Sequence, residues 1–264
     1  MNAIELGPLV LSGERFAIIV GVAVFLLGSG VLASRVSPRF NGWSTVAVLT
    51  GLAAARLAHV VVHWSYFADD PLRGLAVWQG GFIWPWALAP VAVAAVVMLR
   101  ERRLMLWAAA PVIACALAGA ATVRLTSGTE PTPAPAMSLA SLEGAAVNLA
   151  AVDGRPTVIN LWATWCPPCR REMPALARAQ DDRPDVRFLF VNQGEGPAQV
   201  ARWLEEAGLE IDNVLFDPAM SVPRHYGTAG LPVTLFLGRD GRLARAHVGE
   251  IAPEQIEAEI ARLK

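Results

Sequence analysis

Charge and cysteine are both scarce in this chain. Only 17% of its 264 residues are Asp, Glu, Lys or Arg, whereas 54% are hydrophobic, which is too apolar for one ordinary soluble domain. The net charge of −1 and the lack of a basic, aromatic-rich stripe argue against a nucleic-acid partner. With three cysteines in total, the chain lacks the second pair that a four-cysteine zinc site needs. No metal site is therefore expected. Nucleotide-binding and peroxidase motifs are absent as well.

The excess of apolar residues lies in the first half of the chain. Residues 16–34, 80–99 and 104–123 are uncharged runs of about 20 residues, enough to cross a bilayer as a helix. A further run, residues 45–62, is long and apolar but carries Arg56 and His59. Hydropathy therefore predicts a multi-pass membrane domain of about four transmembrane helices over residues 1–124.

The loops between these runs give an orientation. Loops 35–39 and 100–103 are rich in arginine, whereas loop 69–73 holds two aspartates and one arginine. Because basic loops are retained in the cytoplasm, both ends of the membrane domain are predicted outside, in the periplasm or extracytoplasmic space of a bacterial cytoplasmic membrane, where disulfides are permitted. A cleaved signal peptide is the alternative for the first run, but Glu5 and Glu14 stand where a basic segment is expected.

Two further regions follow the membrane domain. Residues 125–136 are rich in proline and predict a semi-rigid extended linker. Residues 137–264 alternate strand and helix patterns, which predicts an α/β domain with a central mixed sheet and helices on both faces. Strands are predicted over residues 147–152, 157–163, 186–192, 214–216, 233–237 and 244–248. Helices are predicted over residues 168–180, 197–207, 220–226 and 253–263.

Two thiols stand at the turn between a predicted strand and helix, in Trp165-Cys166-Pro167-Pro168-Cys169. A cysteine at a helix N-terminus meets free backbone N–H groups and the positive end of the helix dipole, which favour its thiolate. Cys166 is therefore the candidate attacking thiol, and Cys169, one turn further along, the candidate resolving thiol. A structural disulfide, or a partial metal site completed by His225, is the alternative.

This motif and three later segments resemble a known family. The later segments are Arg170-Arg171-Glu172-Met173-Pro174, Gly230-Leu231-Pro232-Val233-Thr234 and Gly238-Arg239-Asp240-Gly241. Together they make residues 137–264 similar to the thioredoxin-fold domains of the TlpA/ResA branch, the membrane-tethered thiol-disulfide oxidoreductases of bacteria. The resemblance implies a redox-active disulfide and no other cofactor.

The same resemblance implies roles for residues around the dithiol. Glu172 is expected near the thiols, where a carboxylate can accept the proton of Cys169, although a solvated helix acid is the alternative. Pro232 is expected to be a cis proline that faces the dithiol, with Leu231 offering backbone hydrogen bonds to substrate. Trp165 is a candidate substrate contact. Asn160 stands where thioredoxins carry a buried acid, which directs attention to Glu172.

The two prolines between the cysteines favour a reductant. Pro167 and Pro168 have no N–H donor and no charge, so they stabilise the thiolate less than the histidine of strongly oxidising relatives does. A disulfide with a weakly stabilised thiolate form is the less oxidising one.

The membrane half has a weaker resemblance of its own. The segments Ala55-Arg56-Leu57-Ala58-His59-Val60, Trp64-Ser65-Tyr66-Phe67 and Trp78-Gln79-Gly80-Gly81 resemble the N-terminal part of prolipoprotein diacylglyceryl transferase. That family has a His-Gly-Gly sequence further on, which residues 82–87 lack, so a working transferase is not expected. Arg56 is a candidate contact for a lipid headgroup or phosphate, with pairing inside the helix bundle as the alternative.

The sequence thus predicts a membrane-anchored periplasmic thiol-disulfide oxidoreductase that reduces protein disulfides, with apocytochrome c or copper-site assembly proteins as candidate substrates. Because the membrane half has a single cysteine, Cys115, it cannot relay electrons by thiol exchange, and a separate membrane electron donor is expected. Two alternatives stay open. One is a lipid-binding or lipid-transferase-like membrane protein with an accessory thioredoxin domain, and the other is a periplasmic disulfide oxidant or isomerase.

Overall fold

The chain divides into two compact units. A computed structural model describes residues 4–6, 9–11, 13–68, 70–77, 80–126, 131–228 and 230–263. One unit is Gly13–Leu125, and the other combines Met1–Ser12 with Thr126–Lys264. Asp69 in the predicted outer loop and residues 127–130 of the predicted linker lie outside the described residues.

The first unit is helical, as its apolar runs predict. Its elements are α1 (Gly13–Arg35), α2 (Arg39–Val62), α3 (Trp64–Phe67), 3₁₀ turns at Pro71–Leu75 and Trp84–Ala87, α4 (Leu88–Leu99) and α5 (Arg102–Thr126). Three segments, Phe16–Arg35, Arg39–Val62 and Arg102–Leu125, have the length and hydropathy to cross a membrane. Large apolar side chains stay exposed along them, for example Leu27 at 72% and Leu117 at 66%, as on lipid-facing helices.

The prediction for residues 80–99 is corrected. The helical segment there begins only at Trp84, so Trp84–Leu99 falls below the length of the other three. Gly80 and Gly81 have φ of 83° and 77°, a left-handed backbone conformation that a regular α-helix does not contain. Pro85 then lies within the 3₁₀ turn that opens the helix. At 1.5 Å per residue the remaining helix is about 24 Å long.

The second unit contains a seven-stranded mixed sheet, which confirms the predicted fold class. Its strands are β3 (Ser138–Ser141), β4 (Ala146–Asn148), β5 (Thr157–Trp162), β6 (Arg187–Gln193), β7 (Val214–Asp217), β8 (Val233–Leu237) and β9 (Leu243–Val248). The strand order is β4-β3-β7-β6-β5-β8-β9. Strands β5, β6 and β7 run parallel, and β8 lies antiparallel to β5. A separate ribbon pairs β1 (Ile4–Leu6) with β2 (Leu9–Leu11).

Helices cover both faces of this sheet. They are α6 (Pro167–Asp182), α7 (Pro197–Ala207), α8 (Ser221–Tyr226) and α9 (Pro253–Ala261). Three of them, α6, α7 and α9, pack Leu176, Val200 and Ile256 into one buried cluster with the sheet. On the opposite face α8 adds Val222 to a second cluster. Every residue of β5 is buried, so the strand that leads to the dithiol is rigidly held.

Part of the predicted linker is packed against the sheet. Ala134 donates its N–H to the carbonyl of Gly241 at 2.9 Å, and Leu243 donates to the carbonyl of Thr132 at 2.8 Å. Ala134 is only 9% exposed. Residues 131–136 therefore do not form a free spacer, because strand β9 at the sheet edge has backbone groups that they satisfy.

Candidate active site

Cys166 lies at the start of helix α6. It is the N-cap residue, with φ −92° and ψ 104°, and its Sγ accepts the backbone N–H of Cys169 at 3.3 Å. Pro167 and Pro168 fill the first helical positions, where a proline loses no intrahelical hydrogen bond. The motif thus directs a helix N-terminus at the sulfur of Cys166.

The two cysteines form a disulfide in this structure. Cys166 and Cys169 are joined with a Cα–Cα distance of 5.3 Å. Cys166 is 3% exposed and Cys169 is fully buried, whereas Trp165 beside them is 63% exposed. The protein surface at the dithiol is therefore formed in part by an exposed aromatic ring, although its contact with substrate stays a prediction.

Glu172 is a buried acid, so the alternative of a solvated helix residue is wrong. The residue is 2% exposed. Its Oε1 accepts a hydrogen bond from Nδ2 of Asn160 at 2.7 Å, and its Oε2 accepts one from the backbone N–H of Ile251 at 2.9 Å. Burial raises the pKa of Glu172 to about 8, against the opposing effect of these two hydrogen bonds. A carboxyl group in this state can exchange a proton near neutral pH.

Pro232 lies at the same end of the sheet as the dithiol. The Leu231–Pro232 peptide bond is cis, as the resemblance predicts. Strand β8 starts at Val233, which is paired with Leu161 near the end of β5, and the dithiol loop follows β5 directly. The substrate-binding roles of Leu231 and Pro232 stay predictions.

Sequence reasoning missed Glu195, which fastens the dithiol loop. Its carboxylate accepts hydrogen bonds from the backbone N–H of Thr164 at 2.7 Å, from Asn192 at 2.8 Å and from Gln199 at 2.5 Å. The hydroxyl of Thr164 donates to it as well. No local motif marks Glu195, but it follows β6, and the ends of neighbouring parallel strands β5 and β6 meet at one sheet edge.

A cleft of about 600 Å³ opens beside the dithiol, between α6 and α7. It is lined by Pro167, Arg170, Arg171, Trp203, Glu206 and Ala207. Arg171 forms an ion pair of 2.5 Å with Glu250, which is itself only 7% exposed. The walls of the cleft therefore present an aromatic ring and charged side chains.

Within the described residues, no three His, Cys, Asp or Glu side chains are placed to hold a metal ion. His225, which would have completed a metal site with the cysteines, has its Nε2 2.8 Å from the carbonyl oxygen of Pro133. Its ring therefore contacts the packed linker segment.

Arg56 is buried in the helical unit and is bound to a loop. The side chain is 6% exposed, and all three of its nitrogens donate to backbone carbonyls of residues 73–81. The acceptors are Gly74 at 2.9 Å, Gly80 at 2.5 Å, Gly81 and Arg73 at 3.1 Å, and Ala76 at 3.4 Å. Gly81 approaches so closely that a Cβ there would lie 2.5 Å from Nε2 of His59. The structure thus favours a role within the bundle, and the contact of Arg56 with lipid stays a prediction.

Different families match the two halves of the chain, and the matches meet close to the boundary between the two compact units. Residues 129–262 match the sequence model of the redoxin family, and residues 2–127 match that of prolipoprotein diacylglyceryl transferase. Thiol-disulfide oxidoreductase ResA of Halalkalibacterium halodurans is 30% identical over 45% of this chain and 68% of its own length. ResA of Geobacillus thermodenitrificans is 31% identical over 50% of this chain and 76% of its own.

Among solved structures, a thioredoxin-family thiol:disulfide interchange protein from Chlorobium tepidum aligns with 51% of this chain over 97% of the length of that protein. That alignment has 23% identity and a TM-score of 0.45. The redoxin match covers just over half of the 264 residues, and the two ResA relatives are matched over more than two thirds of their lengths. The chain therefore belongs to the redoxin family, with thiol-disulfide oxidoreductases as its relatives.

Proposed function

We propose that this protein is a thiol-disulfide oxidoreductase, anchored in a bacterial cytoplasmic membrane, that reduces protein disulfides with Cys166 and Cys169. One observation carries the proposal: a disulfide at the N-terminus of α6 lies one helical turn before a buried carboxyl group whose pKa is raised to about 8. The first feature supplies a thiolate nucleophile when reduced, and the second supplies a proton acceptor.

The reaction starts from the reduced dithiol. The Cys166 thiolate attacks one sulfur of the substrate disulfide, and the other substrate sulfur leaves as a thiolate that takes up a proton. Ionised Glu172 takes the proton of Cys169. The resulting thiolate then attacks Cys166 Sγ and breaks the mixed disulfide, and the second substrate sulfur leaves as a thiolate that takes up a proton. Two electrons pass to the substrate, and the Cys166–Cys169 disulfide forms.

The N-cap geometry supports the proposed direction of the reaction, which is reduction of the substrate. Because Pro167 and Pro168 have no N–H, the hydrogen bond to Cys166 Sγ comes from Cys169, the third helical residue. A thiolate with so few donors is only moderately stabilised, which favours its use as a reductant over its use as an oxidant.

The periplasmic location is supported by the two ends of the helical unit. Arg39 in the first basic loop lies 3.2 Å from Glu101 in the second, so these two loops share one end. Exposed aromatic residues, including Trp64, Tyr66 and Trp86, follow α2 and precede α4. Basic loops and aromatic side chains mark the cytoplasmic side and the membrane interfaces. With α4 counted as a short fourth crossing, α5 ends outside, and the redoxin unit follows it.

The same arrangement supports a proposal for the substrates and the electron donor. Protein disulfides fit the open cleft beside the dithiol, and apocytochrome c and copper-site assembly proteins are the candidates we propose. Cys115 is the single cysteine of the helical unit. Because thiol exchange needs two sulfurs, we expect a separate membrane protein to reduce the Cys166–Cys169 disulfide.

Trapping in cells tests the proposal. In the full chain with Cys169→Ala, the mixed disulfide cannot be resolved, so substrates are expected to stay bound to Cys166 and to be identified by mass spectrometry. Cys166→Ser in the same background is the control and should trap nothing. A reduction potential of the wild-type dithiol near −120 mV would instead indicate an oxidant. A cellular phenotype unaffected by Cys166→Ser would favour the lipid-handling alternative.

A further inference from the structure

Asn160 holds Glu172 from the sheet side through a hydrogen-bond arrangement that is incomplete. The residue lies in β5 and is 1% exposed. Its Nδ2 donates both to Oε1 of Glu172 at 2.7 Å and to Oγ1 of Thr234 at 3.2 Å. Its Oδ1 is buried and has no hydrogen-bond partner among the described residues. A buried amide oxygen without a partner costs roughly 1–3 kcal/mol, so this orientation requires a compensating gain.

The observed orientation suits an ionised Glu172. A carboxylate accepts hydrogen bonds only, and Asn160 and Ile251 supply one donor to each of its oxygens. Once Oε1 of Glu172 carries a proton, its O–H group faces the N–H of Asn160, and two donors meet. The protonated acid then needs an acceptor on the side where Asn160 lies.

The amide oxygen of Asn160, Oδ1, is such an acceptor. A rotation of the side-chain amide by 180° exchanges Nδ2 and Oδ1 at almost no change in shape. Oδ1 would then accept from the O–H of Glu172 and also from the hydroxyl of Thr234, which can donate as readily as it accepts. Neither an aspartate nor an aliphatic residue could serve both protonation states in this way.

We propose that Asn160 is a positioning residue for Glu172, and that its amide turns end for end when Glu172 gains or loses its proton. The carboxyl group then keeps a hydrogen-bond partner in both states without movement of the backbone. This inference rests on the proposed function, because it explains how Glu172 takes the proton of Cys169 and later returns it.

Two other charged groups act on Glu172. Arg171 on the same helix favours the ionised form, and Glu250, which precedes the loop donor Ile251, disfavours it. These two residues form an ion pair with each other. Cys166 and Cys169 on the same helix form a disulfide and do not titrate in this oxidised state. Asn160 hydrogen-bonds the carboxyl group through a side-chain amide, which can present either a donor or an acceptor.

Nuclear magnetic resonance of the full chain in detergent micelles tests the proposal without any substrate. The oxidised wild-type protein is titrated from about pH 6 to about pH 10. We expect the side-chain amide signals of Asn160, assigned by their loss in Asn160→Leu, to shift with the same midpoint as the carboxyl carbon of Glu172. In Glu172→Gln they should not titrate. Asn160 signals that stay constant while Glu172 titrates would overturn the proposal.

A pair of variants gives a second, independent test. In Asn160→Leu the ionised acid loses a donor and the protonated acid loses an acceptor. Because a hydrogen bond to a charged group is about twice as strong as a neutral one, the midpoint of Glu172 should rise by less than about one pH unit. Asn192→Leu is the matched control. Asn192 is a buried asparagine on the neighbouring strand, and its amide binds Glu195, so the midpoint of Glu172 should not move. A rise of about two pH units or more in Asn160→Leu contradicts the proposal, because the protonated acid would then have lost no partner, whether or not Cys166→Ser abolishes activity.

Discussion

Each unit of this protein buries a charged side chain, and the two are used in opposite ways. Arg56 in the helical unit is charged at every physiological pH, and backbone carbonyls accept from all three of its nitrogens. Glu172 in the redoxin unit has two donors, and its pKa is raised to about 8. Burial of a group that cannot change its charge organises structure, whereas burial of one that titrates near neutral pH supplies a proton. The predictions below separate these two roles.

The largest effect is expected at the dithiol. Cys166→Ser removes the nucleophile, so reduction of a disulfide-containing test protein by the full chain should fall to background. Arg56→Leu, assayed in parallel in detergent, should keep this activity because the thiols are untouched. Activity that depends on Arg56 as strongly as on Cys166 would mean that the helical unit takes part in the chemistry.

Arg56→Leu should instead destabilise the helical unit. It leaves buried carbonyls of residues 73–81 without donors, which should lower the free energy of unfolding by about 3 kcal/mol or more. Thermal unfolding in detergent, followed by protease resistance of the loop, measures this loss. Arg35→Leu, at the exposed end of α1, is the control and should change little. Equal stability of the two variants would favour the lipid-binding role of Arg56.

Glu172→Gln should slow the chemistry while the fold is retained. Glutamine fills the same space but cannot take the proton of Cys169, so resolution of the mixed disulfide should slow by about 100-fold. Rapid-quench kinetics with a disulfide peptide measures the step, and Glu143→Gln on the surface is the control. An unchanged resolution rate would mean that Cys169 loses its proton directly to solvent.

The same carboxyl group predicts how stability depends on pH. The pKa of Glu172 is about 8 in the folded protein and about 4.5 when unfolded, so between these values the folded state binds more protons. The free energy of unfolding should therefore fall as pH rises through this window, by at most about 1.4 kcal/mol per pH unit. Denaturant titrations at several pH values should show this slope for the wild type and its loss in Glu172→Gln.

The smallest effect is expected for Glu195→Ala. Removal of the carboxylate releases Thr164 and Asn192, which should cost about 1 kcal/mol of stability and slow the attack by Cys166 a few-fold. Alkylation rates of the reduced dithiol measure this change. Glu205→Ala, on the exposed side of α7, provides the comparison. A loss as large as that in Glu172→Gln would place Glu195 in the proton pathway.

The sequence was most informative where chemistry follows from local order. The apolar β-branched run before Cys166 predicted a buried strand, and the helical spacing after it predicted α6, so the turn that bears the dithiol could be placed correctly. The cis bond before Pro232 came from the family resemblance. Strand β3 was missed because Ser138–Ser141 is only four residues long and begins and ends with serine.

The surroundings of the dithiol could not be predicted in the same way. Glu172 meets Asn160 because α6 packs over β5, and Glu195 reaches Thr164 because β5 and β6 are neighbours. Both contacts depend on the strand order, which no local pattern states. The short α4 was mispredicted because hydropathy counts Gly80 and Gly81 as part of an apolar run, although their positive φ angles keep them out of the helix.

The packed linker segment determines how the redoxin unit can be isolated. A soluble fragment that starts at residue 137 would lack the strand partner of Gly241 and Leu243 and would expose the edge of β9. Exposed edges pair with one another, so such a fragment should aggregate. A fragment that starts before Pro131 keeps the segment that pairs with Gly241 and Leu243, so it is the better choice for crystallisation.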